Sequence, residues 1–246
     1  MSKKAFIFYG GWDGHEPDKV SARFKRMLEN ENYEVIREPS LDRLEDEEFL
    51  KTMDLIIPLW TQGNCDDRYI FHLSDAIISG VGLAGCHGGM GDAFRWNIEY
   101  QFMCGAQWVS HPGTKWYHHI SLLTPENLEY VQKYYPNPDG AFESDYIVNF
   151  KKGVSSPIVE GLEDFSVHTE QYYLHLDPCV NVLATTQVKT VGPHSVNGEV
   201  TMPVAFTKRW GDGRVFYSSM GHVDKIFEIP QVAEMTRRGF LWATRR

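Results

Sequence analysis

Gly80-Val-Gly-Leu-Ala-Gly-Cys-His-Gly-Gly-Met-Gly91 is the stretch on which the fold turns. Six glycines in twelve residues stand far above the ordinary level of about 7%. Val81 to Ala84 reads as a buried strand. The glycines that follow mark a sharp turn, leading into a helix expected to begin near Asp92. This is the pattern of a nucleophile elbow, in which one strained residue projects from a strand end. Cys86 or His87 would be that residue. At the positive end of the next helix, the Cys86 thiol is expected to have a lowered pKa. A buried structural thiol in a tight connection is the competing reading for Cys86, whereas His87 is costly to bury without a partner.

Toward the N-terminus the chain alternates strand and helix signals. Ala5-Phe6-Ile7-Phe8-Tyr9 is a short apolar run of the kind found in strands buried on both faces. It ends in Gly10-Gly-Trp-Asp-Gly-His-Glu-Pro17, which lacks the Gly-x-Gly-x-x-Gly spacing of a dinucleotide loop. From Asp18 a helix is expected, with Val20, Phe24, Met27 and Leu28 on one face. Tyr33 to Ile36 reads as a second strand, Leu44 to Met53 as a short acidic helix and Asp54 to Trp60 as a third strand. Asp67 to Ser79 reads as a helix with Ile70, Leu73, Ile77 and Ile78 inward. Strand-helix alternation with short links implies parallel strands and right-handed crossovers, with ligands bound beyond the carboxyl ends of the strands.

Toward the C-terminus the pattern changes. Residues 106–165 have weak periodicity and the Pro136-Asn-Pro-Asp-Gly140 cluster, and read as an irregular insertion in a single domain spanning 1–246. Strand signals return over Ser166–Leu176, Asn181–Val188 and Val204–Ser219, the last with an Asp212-Gly213 hairpin step. A closing helix is expected from Gln231 to Thr244, with Val232, Met235, Gly239 and Trp242 on one stripe.

The 246 residues suffice for a sizeable core. A net charge of -9 and scattered Lys and Arg exclude the basic stripe that a nucleic-acid partner requires. No signal core or membrane-length apolar run is visible, and the four dispersed cysteines fit reduced thiols, so the expectation is a cytoplasmic protein with no membrane partner. A homo-oligomer is compatible with all of this.

Histidines recur beside turns: His15, His87, His111 in Ser110-His-Pro-Gly113, His168 near Glu170, and His222 after Gly221. Imidazoles drawn from separate loops can form a metal site or an acid/base set. No His-x-x-x-His or His-Glu-x-x-His spacing marks a metal; a zinc-like divalent ion remains compatible with the set. For His15 the competing role is a cap on the helix that starts near Asp18, and for Asp92 a helix N-cap. The His118-His119 pair and His175 read as surface or strand histidines.

These segments together resemble the ThuA-like family, named for a bacterial trehalose-utilisation protein and related in fold to class I glutamine amidotransferases. The resemblance rests on Gly10 to His15, Gly82-Leu-Ala-Gly-Cys-His-Gly-Gly89, Trp108-Val-Ser-His-Pro112 and Ser156-Pro-Ile-Val-Glu-Gly-Leu162. It continues through Thr169-Glu-Gln-Tyr172, Pro203-Val-Ala-Phe-Thr207, Gly213 to His222 and Gly239-Phe-Leu-Trp242. It implies an α/β flavodoxin-like three-layer sandwich with a mainly parallel sheet, and a role in sugar catabolism. It also implies a pocket of His15, His87, His111, Glu170 and His222, with Asp92 and Arg95 available to a substrate oxygen or anion. The His-x-Glu dyad of amidotransferases is missing, because Asp224 stands where Glu is needed.

Three readings follow. The first is an enzyme acting on a sugar-like small molecule, of trehalose or keto-sugar type. There His87 and His222 serve as acid/base groups or metal ligands, Glu170 as partner and Trp12 as a stacking surface. The second is a cysteine-dependent amidase or hydrolase using Cys86 with His222 or His111 as base. The third is a sugar-binding domain without chemistry.

Overall fold

The computed structural model describes residues 2–112, 129, 143–190 and 192–246. Strands β1 (Lys3–Gly11), β2 (Tyr33–Glu38), β3 (Leu55–Thr61) and β4 (Gly82–Cys86) alternate with helices α1 (Pro17–Glu29), α2 (Glu47–Lys51) and α3 (Asp67–Ile78). Then come α4 (His87–Gly91), α5 (Ile98–Cys104), β5 (Ala106–Ser110), β6 (Glu143–Phe150), β7 (Phe165–Glu170) and β8 (Tyr173–Leu176). The chain closes with β9 (Asn181–Lys189), β10 (Glu199–Trp210), β11 (Gly213–Ser218) and α6 (Pro230–Ala243).

Nine strands form one sheet in the order β2-β1-β3-β4-β11-β10-β9-β6-β7, and β5 pairs with β8 separately. From β2 to β11 every pairing is parallel. This is the 2-1-3-4-5 order of a flavodoxin-like sheet, whose ligands lie beyond the strand carboxyl ends. From β11 to β7 every pairing is antiparallel.

Alternation along the strands builds the three layers. Ala5 and Ile7 join Leu55, Ile57, Val20, Phe24, Val232 and Phe240 in one core, under α1 and α6. Phe6, Phe8 and Ile56 join Leu50, Ile70, Leu73, Ile77, Tyr100 and Met103 in the other, under α2, α3 and α5. Neighbouring side chains on a strand point to opposite faces, so each apolar run feeds both cores. Burying apolar surface at roughly 25 cal/mol per Å² makes these two faces the main source of stability.

Several expected elements differ. The helix expected over Leu44–Met53 is split: a 3₁₀ turn spans Asp42–Glu45, and Asp46 then caps α2 by accepting from the Phe49 N–H at 2.9 Å. The helix expected near Asp92 begins instead at His87, and Asp92 lies past its end; the next helix, α5, is capped by Asn97. The expected strand over Ser166–Leu176 breaks into β7 and β8, which belong to different sheets. The break falls at Gln171, whose buried amide donates to Thr186 Oγ1 and the Gln187 carbonyl, both on β9. The region expected to be irregular, 106–165, holds regular strands, β5 at its start and β6 within it. Gly113, His118, His119 and the Pro136–Gly140 cluster lie outside the described residues. Among the described residues no helix is long and apolar enough to cross a membrane.

Candidate functional site

The turn after β4 puts His87, not Cys86, in the projecting position. His87 has φ +48°, left-handed backbone that a non-glycine residue adopts at a cost of about 1–3 kcal/mol. Its surroundings hold it there. Nδ1 donates to the Ser219 carbonyl at 2.8 Å, and the Tyr217 hydroxyl donates to the His87 carbonyl at 3.2 Å. The ring stacks on Tyr172 with centroids 4.0 Å apart.

Glu170, at the end of β7, is 3% exposed and lies at the centre of the site. Four imidazoles turn Nε2 toward its carboxylate. His87 stands 3.0 Å from Oε2 and His15 3.6 Å from Oε2, while His222 is 3.6 Å and His111 3.8 Å from Oε1. His15 follows β1 and its Nδ1 is 2.8 Å from Thr61 Oγ1 at the end of β3. His222 follows β11, with Nδ1 3.3 Å from Glu143 Oε1 at the start of β6. His111 follows β5 and contacts the rings of Trp108 and Tyr172. The five residues singled out in the sequence therefore meet at one place.

Two glycines allow this closeness. A Cβ on Gly88 would lie 2.6 Å from His15 Cε1 and 2.9 Å from Thr61 Cγ2. Gly221, with φ +136°, runs past Cys86, and a Cβ there would lie 2.7 Å from Sγ.

The electrostatics are those of a buried carboxylate among buried imidazoles. Burial pushes His111 down to about 4 and lowers His222 more mildly, partly opposed in both by the Glu170 charge. Burial works to raise the Glu170 carboxyl, yet donation from His15 and His87 holds it well below the usual carboxylate range. Burial pushes His87 down to about 3 against the opposing pull of Glu170. A neutral His87 beside an ionised Glu170 is, however, inconsistent with the geometry. Its Nδ1–H is committed to a carbonyl, which can only accept, so a neutral ring would aim the Nε2 lone pair at Oε2 across 3.0 Å. A positive charge, proton or metal ion, must lie between the two, and any proton there belongs to the pair rather than to either residue.

Cys86 is different. The thiol is buried as the last residue of β4 and burial pushes it up to about 12, the reverse of the expected lowering. With α4 only one turn long and Gly221 packed against Sγ, nothing offsets that burial. Asp92 and Arg95 face each other, with Arg95 Nη2 2.7 Å from Asp92 Oδ2 and a second contact through Nε. Burial raises the Asp92 carboxyl while Arg95 pulls it back. The guanidinium lies 4.8 Å from the Trp108 ring, so the pair braces the wall beside His111. Trp12 is 48% exposed and meets the His15 ring edge-on at 4.7 Å. Asp224 is no partner of His222; it makes two 2.6 Å contacts with Arg23. His168 and His175 are exposed, and His168 bonds Asp145 instead of joining the site.

Sequence reasoning passed over Thr61, Glu143, Tyr172 and Ser219. Tyr172 lay inside a quoted motif and its proximity to Glu170 was the available signal. Ser219 contributes only a backbone carbonyl, which no residue type advertises.

A flavodoxin-like α/β protein with an imidazole-carboxylate pocket at its strand ends is the class defined by these features. The chain belongs to the ThuA family, described as trehalose utilisation, whose model matches residues 4–243. A ThuA-like protein from Parabacteroides merdae shares the fold at TM-score 0.65 and 18% identity, over 99% of this chain and 90% of that one. One from Bacteroides uniformis does so at TM-score 0.65 and 16% identity, over 98% and 91%. A β-galactosidase from Rahnella sp. R3 is similar at TM-score 0.55 and 15% identity, over 99% of this chain and 30% of the galactosidase. No curated protein matches the chain.

Proposed function

We propose that this chain is an enzyme of carbohydrate catabolism, acting on trehalose or a keto-sugar derived from it by acid/base chemistry at His87 and Glu170. The observation that carries this reading is the 3.0 Å contact between His87 Nε2 and Glu170 Oε2, with His87 Nδ1 already committed to Ser219. Such a pair holds one proton between two bases, and a substrate hydroxyl or carbonyl oxygen entering beside it can receive or surrender that proton. His222, less buried than His87, offers a second imidazole on the other carboxylate oxygen. Sugar hydroxyls both donate and accept, which suits a rim of imidazoles. Trp12 supplies an exposed aromatic face next to His15 on which a sugar ring can stack, while Asp92 and Arg95 stiffen the wall.

The cysteine reading loses ground to the buried thiol of Cys86. His87→Asn tests the preferred reading, because Asn tolerates left-handed backbone better than other non-glycine residues. The measurement is turnover of trehalose and of its keto derivative, followed by product chromatography. The expected loss is roughly 10²- to 10⁴-fold with the fold retained. Turnover by the variant at the wild-type rate would overturn the assignment.

A further inference from the structure

The arrangement around Glu170 satisfies a stricter chemistry than proton transfer. All four imidazoles present the same atom, Nε2, to one carboxylate. For two of them Nδ1 has a hydrogen-bond partner on the far side, the Ser219 carbonyl for His87 and Thr61 Oγ1 for His15, while Glu143 Oε1 stands 3.3 Å from His222 Nδ1 without hydrogen-bond geometry. Partners at Nδ1 that fix the ring and leave Nε2 as a lone pair are what metal-bound histidines require. Here the carbonyl fixes the tautomer of His87 outright.

The distances agree. Ligand atoms about 2.0–2.1 Å from a shared ion stand roughly 3.0–3.4 Å apart when adjacent and about 4.2 Å apart when opposed. The ligand atoms of His15, His222 and Glu170 all lie within 4.8 Å of one another, with His15 Nε2 3.6 Å from Oε2 and His222 Nε2 3.6 Å from Oε1.

We propose that His15, His222 and Glu170 bind one divalent first-row transition ion, with His87 and His111 at the edge of its shell. Two imidazoles and a carboxylate are borderline N/O donors, suited to zinc and its neighbours rather than to magnesium or calcium. The ion would sit within the pocket assigned above to sugar chemistry. The identity of the sugar site rests on that reading; the ion-binding claim stands on ligand geometry alone.

Untagged protein, stripped with chelator and dialysed, tests the claim by titration with zinc and with cobalt(II). The expected result is one ion per chain and a cobalt visible absorption of low coordination number with N/O ligands. His15→Ala and His222→Ala should weaken binding by at least tenfold, while His175→Ala, on an exposed strand position, leaves it unchanged. Thr61→Val, which removes only the group behind His15, should weaken it roughly 10- to 100-fold. Should the alanine variants fail to fold, wild-type melting with and without zinc gives a second readout, since an ion bound to the native state raises Tm. No saturable binding and no change in Tm would overturn the proposal, as would full binding by the His15→Ala and His222→Ala proteins. Calorimetry with trehalose and its keto derivative, on the stripped and on the zinc-loaded protein, separates the two claims. Sugar binding without ion binding sinks the metal site alone, and ion binding without sugar binding leaves the metal site standing and sinks the sugar assignment.

Discussion

In the parallel half of the sheet His15, His87 and His222 each follow the carboxyl end of a strand, β1, β4 and β11. In the antiparallel half Glu170 ends β7, directly opposite Glu143 at the start of β6. The first group is assembled by topology. Parallel strands all end at the same rim, so any residue placed just after them converges there. The second is assembled by register. A slip of one residue along β7 would turn Glu170 to the other face and bring Thr169 to its place. The carboxylate is therefore the more precisely specified half of the site, and the imidazoles are the half that tolerates local adjustment. Between the halves, β11 carries both kinds of pairing, parallel to β4 and antiparallel to β10. His222 accordingly reaches Glu170 with Nε2 and Glu143 with Nδ1.

Acid should act on both halves at once, and this is the largest effect expected. Below about pH 6.5 the unfolded chain takes up protons on histidine, while His111, held down to about 4, and His222, also lowered, stay neutral in the fold. The unfolded state then binds more protons, so stability falls as pH drops from about 6.5 toward 4. The slope is at most about 1.4 kcal/mol per pH unit per imidazole. Glu170, whose folded value is depressed, acts with the same sign at lower pH. Urea unfolding from pH 8 to 4 should show the decline, and His111→Gln should flatten it between pH 6.5 and 4. A wild-type profile that is level over this range contradicts the burial argument.

A smaller effect separates the halves. Gly88→Ala puts a methyl group 2.6 Å from His15 Cε1 and 2.9 Å from Thr61 Cγ2, forcing the ring out of line without touching β6 or β7. The expected cost is about 1–3 kcal/mol in stability, with turnover reduced and the β6-β7 pairing intact by amide exchange. A variant unchanged in both respects would mean that His15 has more room than the close approach allows.

The two halves also differ in how far their sequence reveals them. β1, β3 and β4 are legible because strands buried on both faces are continuous apolar runs bounded by turns. α4 is not legible, since three of its five residues are glycines, which no propensity favours in a helix. It exists because the chain leaving β4 has to turn above the sheet. The β7-β8 break is hidden because the alternating pattern continues through it, and only the buried amide of Gln171 on β9 marks the change. In the site, His15, His87, His111, Glu170 and His222 were signalled by their places beside turns and in family motifs. Glu143 was not, as an acidic residue in a weakly periodic stretch looks like any solvated charge. Nothing in the sequence marks Asp92 and Arg95 as groups that neutralise each other.

The central claim, that a buried carboxylate organises these imidazoles for carbohydrate chemistry, is tested most directly by Glu170→Gln. The substitution keeps shape, and its amide N–H can donate to His87 Nε2, so the fold should persist with little change in unfolding midpoint. Calorimetric titration of wild type and variant with trehalose and its keto derivative is the measurement. The account predicts saturable binding of at least one of these sugars by the wild type, weakened tenfold or more in the variant. Equal binding by both proteins would contradict it.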